Sequence, residues 1–123
     1  MSDNSLILEI IIQILHAIEK ILKRTETIHS SEDFIKNESG EEKLDSVAML
    51  LIAIGESIKQ VDKLTDQKLL RKYPAIDWKG AKGMRDIISH HYFDIDEEII
   101  FQVCKEKLPD MKKTFIQIKT ELE

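Results

Sequence analysis

Apolar residues recur every three to four positions near the start of the chain, and this spacing predicts a first helix from about Asn4 to Thr27. Asn4 or Ser5 is the expected N-cap, because a short polar side chain can accept the free N–H groups of a first turn. Two neighbouring apolar lines run along this helix, formed by Ile7, Ile11, Ile14, Ile18 and Ile21 and by Leu8, Ile12, Leu15 and Leu22. An apolar surface this wide predicts contacts on two sides, with the core and with another subunit.

A short polar segment follows, with Phe34 and Ile35 as its expected apolar anchors, and residues 37–40 have the composition of a turn. The second predicted helix runs from about Glu41 to Leu64. Its apolar seam keeps a three-four rhythm through Leu44, Val47, Leu51, Ile54, Ile58 and Val61. Gly55 lowers helix propensity, so its presence here predicts the close approach of another helix.

The second half of the chain predicts shorter helices. Asp77 is the expected N-cap of a third helix that frays near Phe93, and Asp94 or Asp96 is expected to cap the fourth. Pro109 marks a kink or a new first turn before the last helix. Since no segment alternates with period two, the chain is predicted to be all-α. The expected fold is a four- to five-helix antiparallel up-and-down bundle forming one domain over residues 1–123.

Composition is consistent with such a domain. The chain has 123 residues, 42% of them hydrophobic and 33% charged, which favours a packed globular protein over a disordered one. The single cysteine, Cys104, cannot form an intrachain disulfide and is expected to be buried, which favours a cytoplasmic protein. Polar residues interrupt the apolar first helix, so no membrane segment is expected.

Charge is unevenly distributed along the chain. The net charge is −5, yet the stretch from Lys59 to Arg85 carries eight basic and three acidic residues. A basic stretch on an acidic protein favours a surface that faces phosphate, with Lys79 and Lys82 as the expected phosphate-binding residues. Solvated lysines whose stems cover apolar surface are an equally good interpretation of the same stretch.

An arginine, an aspartate, two histidines and a tyrosine lie within eight residues of the predicted third helix: Arg85, Asp86, His90, His91 and Tyr92. Asp86 and His90 are four positions apart, so the carboxylate can orient the imidazole and favour its protonated form. Arg85 and His90 diverge by about 140° and roughly 7.5 Å along an ideal helix, so they can flank a groove but cannot stack. One subunit alone is therefore expected to form an incomplete site.

An arginine and a histidine in one groove suit phosphoryl chemistry on RNA, whose 2′-hydroxyl is an internal nucleophile. Histidine can transfer a proton near neutral pH, and arginine can neutralise charge that develops on the phosphate. No Gly-rich phosphate loop, paired cysteines or HExxH motif is present, so no cofactor or metal is expected. Taken alone, the Arg-x4-His spacing is common, and a merely structural role for Arg85 and His90 remains open.

The segment from Pro74 to Pro109 resembles the HEPN superfamily and, within it, the HepT branch (DUF86). The resemblance rests on the Arg-x4-His-x-Tyr pattern of Arg85, His90 and Tyr92, on Trp78, and on flanking residues 83–84 and 92–96. The Ile54-Gly55-Glu56 stretch of the second helix is also similar. Asp86 stands where many members have asparagine, a difference that concerns the tuning of the site.

This resemblance implies specific properties. HEPN proteins are helical bundles that dimerise with their Arg/His motifs in one cleft, and many are metal-independent ribonucleases. HepT proteins are toxins paired with a minimal nucleotidyltransferase antitoxin, MntA, which transfers AMP to the motif tyrosine. The implied assignment is Arg85 and His90 as catalytic residues, Asp86 as support and Tyr92 as the modified residue, in a homodimer that acts on RNA.

Two other functions are consistent with the sequence. The net charge of −5 favours a non-catalytic nucleotide-binding accessory subunit of a nucleotidyltransferase, in which Arg85 grips a nucleotide phosphate. A plain helical interaction module would use the motif only for packing. Cleavage of RNA by the purified protein discriminates the nuclease from both.

Overall fold

The computed structural model describes residues 2–90 and 94–123, without the side chains of residues 2, 3, 89 and 90. Its helices are α1 (Ser2–Arg24), α2 (Glu38–Leu64), α3 (Trp78–His90), α4 (Glu97–Gln102) and α5 (Leu108–Leu122). Short 3-10 turns lie at Ser31–Phe34 and Leu70–Lys72, and a π-helical turn, Val103–Lys107, joins α4 to α5. Over these ranges the chain contains no strand, which confirms the predicted all-α fold.

The core lies between α1, α2 and α5 and is rich in isoleucine. α1 packs against both α2 and α5, so most of its wide apolar surface is buried within one chain. Leu15 belongs to the second apolar line and is buried, whereas Leu8, Ile12 and Leu22 of that line are partly exposed. Every residue of the seam predicted for α2 is buried. The helical spacing therefore identified the core-facing side of both long helices.

The starts of the first two helices differ from the prediction. α1 begins at Ser2, so Asn4 and Ser5 lie inside it and the predicted cap is wrong. α2 begins at Glu38, because the Asn37 side chain accepts the backbone N–H of Gly40 at 2.8 Å. The residues expected to form a turn are thus an N-cap and a first helical turn. Phe34 is fully buried as expected, but Ile35 is 47% exposed, so it is not the second apolar anchor that the sequence predicted.

The π-helical turn between α4 and α5 has its cause in Pro109. Proline donates no backbone hydrogen bond and its ring collides with the carbonyl four residues earlier, that of Lys105, so regular α-helix is interrupted there. The backbone N–H of Leu108 accordingly donates to the carbonyl of Val103, five residues before it. Cys104 lies in this turn and is buried as predicted. Burial raises the pKa of its thiol to about 11, which keeps the thiol protonated near neutral pH.

None of the helices in the described ranges combines the length and the apolar character that crossing a membrane requires.

Candidate functional site

The start of α3 is held firmly against the core. As predicted, Asp77 caps this helix, and its Oδ1 accepts the backbone N–H of Gly80 at 2.9 Å. Trp78 packs edge-on against the Phe115 ring, with ring centres 5.5 Å apart, and its Nε1 donates to the Tyr73 carbonyl at 3.0 Å. Ile88 is also buried. These contacts leave Arg85, Asp86 and Ile87 exposed on the outer side of the helix.

α2 and α3 run antiparallel, with Asp62 beside Lys82 and Glu56 beside Arg85, and the two helices approach closely at Gly55. A Cβ atom at this position would lie 3.2 Å from the Ala81 carbonyl oxygen and 3.7 Å from Cβ of Arg85. The prediction that Gly55 permits a close helix approach is therefore confirmed. Because the backbones are so close, the residue that follows Gly55 is brought beside Arg85.

Arg85 lies between two carboxylates. Its Nε contacts Oε1 of Glu56 on α2, and its Nη1 lies 3.3 Å from Oδ1 of Asp86. Glu56 belongs to a stretch that carries the family resemblance, but the sequence did not predict it as a site residue. The signal that could have found it is the glycine immediately before it, which marks the point where the motif helix crosses.

The other motif residues are placed only in part. α3 extends to His90, so Arg85 and His90 belong to one helix as predicted. The side chain of His90 and all of Tyr92 lie outside the described residues. The contact described for Asp86 is with Arg85, and the expected support of His90 by Asp86 remains a prediction.

Four lysines from two helices line one shallow groove of about 530 Å³ next to this site. Lys59 and Lys63 come from α2, and Lys79 and Lys82 come from α3. Asp62, Gln67, Gly83 and Asp86 complete the lining. Lys82 is paired with Asp62 at 2.6 Å, whereas Lys79 is exposed. The groove thus combines the two predicted phosphate-binding residues with two lysines from the other helix, and Asp86 links it to Arg85.

The sequence model of the family described as "Ribonuclease HepT-like" matches residues 14–118, which is most of the chain. The chain belongs to this HepT-like ribonuclease family. Its relatives include "Putative RNase MJ0125" of Methanocaldococcus jannaschii, 35% identical over 92 residues that cover 75% of this chain and 73% of that protein. "Probable ribonuclease HepT" of Thermococcus cleftensis is 32% identical over 106 residues, which cover 86% of this chain and 89% of that protein. No solved structure matches the chain.

This HepT-like chain also has a groove beside its motif helix, lined by six apolar residues and by the four acidic residues Asp94, Asp96, Glu97 and Glu98. Met84 and Ile87 of α3 line it from one side, and Ile95 and Ile99 line it from the other. Ile87 is 49% exposed and Ile99 is 37% exposed, although both are large apolar residues. Charged and apolar surfaces therefore adjoin each other along α3.

Proposed function

We propose that this HepT-like protein is the toxin of a toxin–antitoxin pair and acts as a metal-independent endoribonuclease. The observation that carries the proposal is the position of Arg85, which lies on the outer side of α3 next to a groove lined by four lysines. A guanidinium group binds phosphate in a planar, multidentate manner, and neighbouring ammonium groups attract a polyanion. Membership of the ribonuclease family supports RNA as the polyanion.

In the proposed reaction, His90 exchanges protons with the 2′-hydroxyl or with the leaving oxygen of RNA. Arg85 stabilises the negative charge that develops on the phosphate, and Asp86 supports His90. Lys79 and Lys82, with Lys59 and Lys63, would hold the RNA backbone by charge. Such contacts release counterions, so binding is expected to weaken as the salt concentration rises.

The direct test incubates the purified protein with RNA in the presence of EDTA. We expect cleavage at the same rate with and without the chelator, because the proposed chemistry uses only side chains of the protein. Loss of cleavage in EDTA, with recovery when a divalent ion is restored, would contradict the mechanism. Tight nucleotide binding without any RNA cleavage would instead favour the accessory-subunit alternative.

The site is proposed to be shared between two copies of the chain. Arg85 and His90 diverge on one helix. Ile87 of the same helix and Ile99 across the adjoining groove are exposed apolar residues suited to a protein interface. Two motif helices that meet there would bring two Arg/His sets to one cleft.

Ile87→Glu tests this interface, because a carboxylate buried there without a partner costs roughly 2 kcal/mol or more. We expect at least a tenfold weaker dimer and a parallel loss of activity, measured by analytical ultracentrifugation and RNA cleavage. Ile116→Glu is the matched control, since Ile116 is 46% exposed but lies on α5. If Ile116→Glu dissociates the dimer and Ile87→Glu does not, the interface lies elsewhere and the shared cleft is wrong.

The proposed antitoxin is an MntA-like nucleotidyltransferase that adds AMP to Tyr92. An adenylate beside Arg85 would occupy the place of an RNA phosphate and repel it. The chain has only two tyrosines, and the hydroxyl of Tyr73 contacts Glu121. Peptide mapping after co-expression therefore has to distinguish only Tyr92 from Tyr73, and an unmodified Tyr92 would contradict this form of control.

A further inference from the structure

The contact between Glu56 and Arg85 joins the motif helix to a residue far away in sequence. The Glu56 carboxylate meets the Nε edge of the guanidinium, and Gly55 allows the two helices to come close enough for this contact. A bulky side chain at position 55 would separate the helices at the point where the contact forms. The glycine and the glutamate thus act together, one by its small size and the other by its charge.

The contact leaves most of the guanidinium available. An arginine has five N–H donors in a planar fork. Glu56 is in contact with Nε, and Asp86 lies near one Nη1 donor. Both donors on Nη2 and one on Nη1 have no partner among the described residues. The edge formed by Nη1 and Nη2 points away from the Nε–H bond, so this edge can bind a phosphate.

We propose that Glu56 is a positioning residue that holds the Arg85 fork in the orientation that receives the scissile phosphate. The inference rests on the proposed nuclease function and adds a residue to its site. An arginine side chain has several rotatable bonds, and fixing one orientation before substrate binds removes an entropic cost from the reaction. Glu56 contacts the guanidinium at Nε, which leaves the edge formed by Nη1 and Nη2 to meet the phosphate.

A purely structural role would give a different result. The side chains of Arg85 and Glu56 are 44% and 50% exposed, and solvent-screened ion pairs contribute little to stability. We therefore expect Glu56→Ala to leave the thermal unfolding midpoint close to that of the wild type. The effect of the variant should fall on the rate of the chemical step.

The experiment compares Glu56→Ala and Glu56→Gln with Glu42→Ala, an exposed glutamate at the opposite end of α2. Single-turnover RNA cleavage should be about tenfold slower in Glu56→Ala, while RNA affinity is unchanged or higher because a negative charge has been removed. Glu56→Gln keeps a neutral oxygen that can accept the Nε–H, so it should recover most of the lost rate. Glu42→Ala should behave like the wild type.

The ¹⁵N–¹H resonance of Arg85 Nε provides a readout that does not require activity. Its exchange with water should be slow in the wild type and in Glu56→Gln, and fast in Glu56→Ala. Equal exchange in all variants would overturn the contact and the inference with it. An active wild type with an unimpaired Glu56→Ala rate would overturn the positioning role alone. A wild type that cleaves no RNA would overturn the nuclease function and, with it, this inference.

Discussion

Arg85→Ala is expected to lower the rate of RNA cleavage by about 10²- to 10³-fold, because it removes the cation proposed to stabilise charge on the phosphate in the transition state. His90→Ala is expected to lower the rate by about 10²- to 10⁴-fold, because it removes the group proposed to transfer protons. Inhibition of growth on expression should disappear in both variants. Initial rates on a defined RNA substrate, together with a growth assay, measure these effects.

Two further alanine variants, of an arginine and of a histidine outside the proposed site, control for the general effect of losing a positive charge or an imidazole. Arg24 and His16 are exposed residues of α1, and their alanine variants should cleave RNA at the wild-type rate. Circular dichroism and sedimentation should show that all four variants stay folded with the wild-type oligomeric state. If Arg85→Ala and His90→Ala cleaved RNA at the wild-type rate, the proposed site would be ruled out.

Gly40→Ala is expected to destabilise the protein by about 1–3 kcal/mol, because the added methyl group overlaps backbone and not a movable side chain. A Cβ at this position would lie 2.0 Å from the carbonyl oxygen of Asp33 and 3.1 Å from the carbonyl carbon of Phe34. The 3-10 turn would have to move away from α2, and Phe34 would leave its buried site. This loss exceeds the gain in helix propensity that alanine brings.

Gly83→Ala is the matched control, with the opposite expected sign. A Cβ at Gly83 meets nothing within 4 Å, and the residue lies inside α3, so alanine should stabilise the protein by about 0.5–1 kcal/mol. Chemical denaturation of the two variants and the wild type measures both effects. A Gly40→Ala variant as stable as the wild type would contradict the close contact between α2 and the 3-10 turn.

The carboxylates around Arg85 suggest how the activity of this HepT-like protein is balanced. Glu56 and Asp86 both reduce the positive potential at the guanidinium, whereas the four lysines of the adjacent groove increase it nearby. Under the proposed function, RNA would be attracted mainly by the groove, and the arginine would act mainly at the scissile phosphate. This division predicts that substitutions of the lysines change the salt dependence of binding and that substitution of Glu56 changes the rate more than the affinity.

Much of the fold was predictable because it depends on local spacing. The apolar seam of α2, the Asp77 cap and the burial of Cys104 all follow from periodicity or from the chemistry of single residues, and the structure confirms them. The prediction of a turn at residues 37–40 was wrong. An asparagine followed three positions later by a glycine is consistent both with a turn and with a helix N-cap, and the structure has the N-cap. Asp96, one of two candidates, is the cap of α4 and accepts from the backbone N–H groups of Glu98 and Ile99.

The sequence by itself determined that the chain is helical and that Arg85, Asp86 and His90 share one helix. It also determined that the chain carries the motif of the HepT-like family. These properties depend on residues a few positions apart, and a helix fixes their relative placement. Only the tertiary structure decided that Glu56 meets Arg85 and that lysines from α2 and α3 line one groove. Such contacts depend on how far two helices approach and how each is rotated about its axis. Packing of the whole core sets both quantities, and here Gly55 permits the close approach of α2 and α3.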